Sequence, residues 1–181
     1  MKTLIVHPKD NSTSFLDVVY QPIENKTVIN GGISKEELHE LIESHDRIMM
    51  MGHGSKFGLF SIGQFENCGV YIIDNSVVDL LKGKKHCVFI WCNADGFVKE
   101  YGLLGFFSGM FISEVGEAIY CGLPNTSQKV VDESNFGFCK IISKYINEDT
   151  DTIHKNVKKE YGLIAEENSV ARYNNLRLYK I

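Results

Sequence analysis

The chain has 181 residues, a formal net charge of −4, 44% hydrophobic and 23% charged residues. That balance excludes wholesale disorder, and the length suits a single domain over residues 1–181 with a real core. No run of five or six like charges exists to contact nucleic acid, and no apolar stretch approaches the roughly 18 residues of a membrane span. Only a three-residue apolar run, Leu4 to Val6, leads up to His7 and Pro8, too short for a signal-peptide core. The expected compartment is therefore the cytoplasm. The five cysteines, Cys68, Cys87, Cys92, Cys121 and Cys139, are odd in number and widely spaced. This argues against a disulfide framework or a structural zinc site.

In chain order, Thr3 to Val6 reads as a strand and Asn11 to Gln21 as a short helix. A second strand is expected at Thr27 to Ile29, closed by Gly31 and Gly32. Ser34 and Glu37 form a capping box, with Ile33 and Leu38 placed as its hydrophobic staple. Leu38, Leu41 and Ile42 then give one buried helical face, ending near His45. Ile48 to Met51 is a buried-strand run that stops at Gly52-His53-Gly54-Ser55. The glycine-rich segment Gly58 to Asp74 suggests a hairpin, and Asn75 to Leu81 a helix stopped by Gly83. Cys87 to Trp91 is the second buried-strand run, ending in a polar loop from Cys92 to Gly96. Phe106 to Ile112 reads as a strand. Ser113 is read as the cap of a helix that stops at Gly122. Phe136 to Ile146 and Thr152 to Tyr161 read as amphipathic helices, and a last strand is expected within Val170 to Tyr179.

Apolar strands alternating with helices argue an α/β fold with a mainly parallel sheet covered on both faces. In such sheets ligands gather beyond the C-terminal strand ends. His53 and Cys92 each follow directly on a strand. If the two strands are neighbours, about 4.8 Å apart, the side chains face one crevice. A thiol is mostly protonated at neutral pH, and an imidazole can take its proton and later protonate the leaving group. The backbone N–H groups of Gly54 and Cys92 are candidates for an oxyanion hole.

An apolar strand ending in His53-Gly54, followed by one ending in Cys92, resembles the caspase-like cysteine peptidases. These include caspases, metacaspases, gingipains, clostripain, separase and legumain. The likeness covers roughly residues 1–122. It implies a three-layer caspase-like sandwich and a Cys92/His53 dyad that cleaves peptide bonds through an acyl-enzyme, without metal or other cofactor. It also implies a peptide or protein substrate. Ile90 and Trp91 stand where caspases carry Gln-Ala, and Ile90 where metacaspases carry an acid, so no cleavage preference carries over. Relatives often pair through an edge strand, and Phe106 to Ile112 or the C-terminal segment would serve a homodimer.

Substrate-pocket candidates are His7, Trp91, Asp95 and Glu114. The acids Asp95, Glu114 and Glu117 are read as capping or solvated groups, with orientation of His53 as their alternative role. His86 is read as structural, His39, His45 and His154 as solvated or helix-edge residues, and the other four cysteines as buried apolar filler. The competing functional reading is a caspase-like fold that binds a small molecule, such as a nucleotide, or a protein without cleaving it. A flavodoxin-like nucleotide binder is a weaker third. No phosphate-loop motif is present, and aromatic and basic residues do not interleave as single-strand nucleic-acid binding needs.

Overall fold

The computed structural model describes residues 1–66 and 68–181. Six strands form the central sheet: β1 (Thr3–Val6), β2 (Lys26–Ile29), β3 (Arg47–Met51), β7 (Cys87–Ile90), β8 (Gly105–Ser108) and β9 (Leu178–Lys180). Their spatial order is β2-β1-β3-β7-β8-β9. Every neighbouring pair is parallel except β8 with β9, which is antiparallel. Three short strands, β4 (Gly54–Ser55), β5 (Gly58–Phe60) and β6 (Tyr71–Ile73), make a separate antiparallel sheet. The hairpin expectation over Gly58 to Asp74 thus becomes β5 and β6, with position 67 outside the described residues.

Uninterrupted apolar runs form the central strands because each strand is buried on both faces. Side chains alternate along β3. Ile48 and Met50 pack with Leu4, Phe89, Leu38 and Phe97, whereas Met49 and Met51 pack with Ile5, Val88, Phe138 and Tyr161. The triple methionine is therefore core on both sides of the sheet. The first face is covered by α2 (Lys35–Glu43), α3 (Val78–Leu81) and α4 (Ala94–Tyr101). The second is covered by α1 (Asp17–Tyr20), α6 (Gln128–Tyr145), α7 (Thr150–Ala165) and α8 (Ser169–Asn175). A smaller cluster of Ile112, Ala118, Val131 and Val170 anchors α5 (Val115–Tyr120). The capping box on α2 is present in both directions, Glu37 N donating to Ser34 Oγ at 3.2 Å and Ser34 N to Glu37 Oε2 at 2.8 Å.

Several expectations are corrected. The segment after Cys92 is no loop: α4 begins at Ala94, two residues beyond the thiol. Its buried face, Ala94, Phe97 and Val98 with Tyr101 beside it, repeats at helical spacing. Glu114, not Ser113, is the N-cap of α5. The Phe106 to Ile112 strand ends at Ser108 and lies between β7 and β9, so it offers no edge for pairing. The sheet edges are β2 and the C-terminal β9. The last strand, expected within Val170 to Tyr179, is β9 at Leu178–Lys180, at the end of that region after α8. His45 is buried, its imidazole against Leu41 O at 2.6 Å and Thr27 Oγ1 at 3.0 Å. No helix is long and apolar enough to cross a membrane among the described residues.

Candidate active site

The C-terminal ends of β3 and β7 lie side by side, with Met51 opposite Ile90 in the parallel register. Gly52 extends the pairing by donating its N–H to Ile90 O at 3.0 Å. The chain then releases His53 on one strand and Cys92 on the other. Both line one narrow cleft, together with Trp91, with Thr13, Phe15 and Leu16 before α1 and with Phe111 and Ser113 before α5. The juxtaposition conditional on neighbouring strands is thus present in the fold.

On the histidine side, His53 Nε2 lies 2.6 Å from Ser12 Oγ, and Ser12 Oγ lies 2.6 Å from Asp10 Oδ1. Ser12 N also donates to that carboxylate oxygen at 2.7 Å. The turn after Pro8 thereby delivers a hydroxyl to the imidazole. The hydroxyl and amide of Ser12 hold the Asp10 carboxyl below its ordinary pKa, against a smaller opposing effect of burial.

On the cysteine side, the backbone turns sharply. Asn93 is left-handed at φ 65°, and its N–H donates to Gly109 O at 3.0 Å as α4 begins. Asparagine tolerates this region better than most residues. Among the described residues the Cys92 backbone N–H has no hydrogen-bond acceptor, as an oxyanion donor would require. The thiol itself faces Phe111 O at 3.3 Å and Glu117 Oε1 at 3.4 Å. Burial, and then the adjacent Glu117 charge, push its pKa up to about 12. Glu117 is pinned in place. Its other oxygen accepts from Ser113 N at 2.7 Å, Ser113 Oγ at 3.0 Å and Glu114 N at 3.2 Å.

Gly54 opens β4 opposite Leu59. A Cβ at this position would collide with the Trp91 ring and with Gly58 O. The glycine is thus required by close packing on Trp91, whatever its N–H does. Trp91 donates Nε1–H to Ser55 O at 2.9 Å, is 1% exposed, and stacks edgewise on Phe89 and Phe97. Its indole belongs to the core under the hairpin, while Trp91 also lines the cleft beside Cys92 as expected.

The remaining candidates fall outside the cleft. His7 is buried, with Nδ1 3.2 Å from Tyr20 Oη and Asp17 Oδ1, and Nε2 3.3 Å from Thr13 Oγ1. Burial lowers its pKa, against the opposing pull of Asp17. It borders a separate hollow with Lys9, Asp10 and Asn30. Asp95 pairs with Lys99 at 3.1 Å on α4. Glu114 caps α5 and lines an adjoining groove with Gln128 and Asp132, which shares Phe15 and Ser113 with the cleft. Ser12, Asp10 and Ser113 are site residues that the sequence reading did not single out. Asp10 and Ser12 form an aspartate turn just after Pro8, and that spacing was the available signal. Among the described residues no group of three or more His, Cys, Asp or Glu side chains is placed to hold a metal ion.

Comparison with protein-family models, with curated proteins and with solved structures finds no match to this chain.

Proposed function

We propose that the chain is a cysteine peptidase of caspase-like fold, with Cys92 as nucleophile and His53 as general base and acid. One observation carries the reading: His53 and Cys92 leave adjacent parallel strand ends and line the same cleft. The open Cys92 N–H and the Ser12 support of His53 agree with it.

The electrostatics define how such an enzyme works. With its pKa pushed up to about 12, the Cys92 thiol keeps its proton at neutral pH in this conformation. No preformed thiolate–imidazolium pair exists here. The sulfur must turn from Phe111 O and Glu117 toward a bound carbonyl, and His53 must take its proton as the S–C bond forms. The substrate is then a peptide or protein whose backbone lies across the strand ends.

The hydrogen bonds that draw the thiol away from His53 favour a second reading. In it the same caspase-like domain captures a small molecule or a protein segment and cleaves nothing. A peptide library with mass-spectrometric readout separates the two. Cleavage by wild type, absent in Cys92→Ala and strongly reduced in His53→Ala, is expected. Intact peptides that remain bound, equally in wild type and both variants, would establish the binding module instead.

A further inference from the structure

The Asp10–Ser12–His53 chain carries a consequence for the direction of proton transfer. Ser12 has one hydroxyl proton and two partners, each at 2.6 Å. An ionised carboxylate can only accept. The Ser12 proton therefore points to Asp10, and Ser12 Oγ is left as an acceptor. A bare Nε2 facing that oxygen would set two lone pairs against each other, so Nε2 must carry the hydrogen. In a neutral imidazole the other nitrogen, Nδ1, then holds the lone pair.

We propose that Asp10 and Ser12 are positioning residues that fix His53 as its Nε2–H tautomer, leaving Nδ1 as the one atom able to receive the Cys92 proton. The inference rests on the cysteine-peptidase reading above. In the acylation step the Cys92 sulfur bonds to the carbonyl carbon, the carbonyl π pair moves to oxygen, and the S–H proton passes to Nδ1. The imidazolium keeps its Nε2–H bond to Ser12, with the Asp10 charge one hydroxyl away. Nδ1–H then protonates the leaving amine as the C–N bond breaks. Water attacks the thioester while Nδ1 takes its proton, and that proton returns to the departing sulfur.

The test is ¹⁵N NMR of the full chain labelled at histidine, under conditions where His53 is neutral. Wild type is expected to show a protonated Nε2 and a bare Nδ1. Ser12→Ala and Asp10→Ala should each give mixed tautomers, and Ser12→Thr should restore the single form. The rate of Cys92 adduct formation with a peptide electrophile should fall about tenfold in Ser12→Ala and recover in Ser12→Thr, with melting temperatures unchanged. A bare Nε2 in wild type, or an unchanged tautomer in Ser12→Ala, would overturn the assignment. Mixed tautomers in a wild-type protein that still forms the Cys92 adduct would overturn the positioning role alone. An intact tautomer in a protein that never forms the adduct would overturn the peptidase reading and the positioning role with it.

Discussion

The two halves of the cleft are built in opposite ways. The His53 half is polar, half-exposed and already wired, through Ser12 to Asp10. The Cys92 half is turned inward, its half-buried thiol directing its proton toward Phe111 O and a carboxylate that opposes ionisation. A pair that reacts need not be paired at rest. On the proposed reading the base is prepared and the nucleophile is withheld, and occupancy of the cleft must close the gap.

The strongest way to break that contrast is to remove either partner. Cys92→Ala should abolish peptide cleavage, and His53→Ala should lower its rate by about 10²–10⁴-fold, measured as initial rates on a cleaved peptide. Equal rates in wild type and His53→Ala would leave the prepared base without a task. Next in size, Gly54→Ala forces a methyl against the Trp91 ring and Gly58 O under the hairpin. It should cost about 1–3 kcal/mol in denaturant unfolding. An unchanged unfolding midpoint would show that the packing around Trp91 is looser than the geometry implies.

The withheld thiol also leaves a signature in stability. Its folded pKa is raised above that of an unfolded cysteine, so its contribution is complete below the unfolded value of about 8.5 and is lost as pH rises toward about 12. Between those limits it should reduce stability by about 1.4 kcal/mol per pH unit, and Cys92→Ala should remove that share of the alkaline slope. Cys87, also raised by burial, to about 11, supplies a separate share in both proteins. Identical slopes would place the Cys92 thiol in solvent. The smallest effect is expected of Glu117→Gln, which removes the charge beside the sulfur. Iodoacetamide should alkylate Cys92 about tenfold faster at a given pH, equivalent to one pKa unit. A slower reaction would mean that Glu117 activates the thiol.

Much of the frame was legible because it depends on local apolar patterns. The runs at Thr3, Ile48 and Cys87 form strands, and the Ser34/Glu37 box caps its helix, since each signal sits within a few residues. His53 and Cys92 were legible because both follow a strand directly. What escaped depends on contacts distant in sequence. Ser12 reaches His53 across 41 residues, and Glu117 reaches Cys92 across 25. Trp91 lines the cleft, as its place beside Cys92 suggests, but the burial of its indole was not legible. Strand alternation sends its side chain to the opposite face, where Gly54 leaves room for the ring. The α4 pattern at Ala94, Phe97, Val98 and Tyr101 was present but hidden by the polar Asn93-Ala94-Asp95-Gly96 stretch.

The central claim is that Cys92 and His53 react as a pair once the cleft is filled. Intact-protein mass spectrometry can follow adduct formation at Cys92 with iodoacetamide and, separately, with a peptide-based electrophile. The account predicts slow alkylation by iodoacetamide and much faster labelling by the peptide reagent, with that advantage lost in His53→Ala. A peptide reagent no faster than iodoacetamide, with the same rate in His53→Ala, would contradict it.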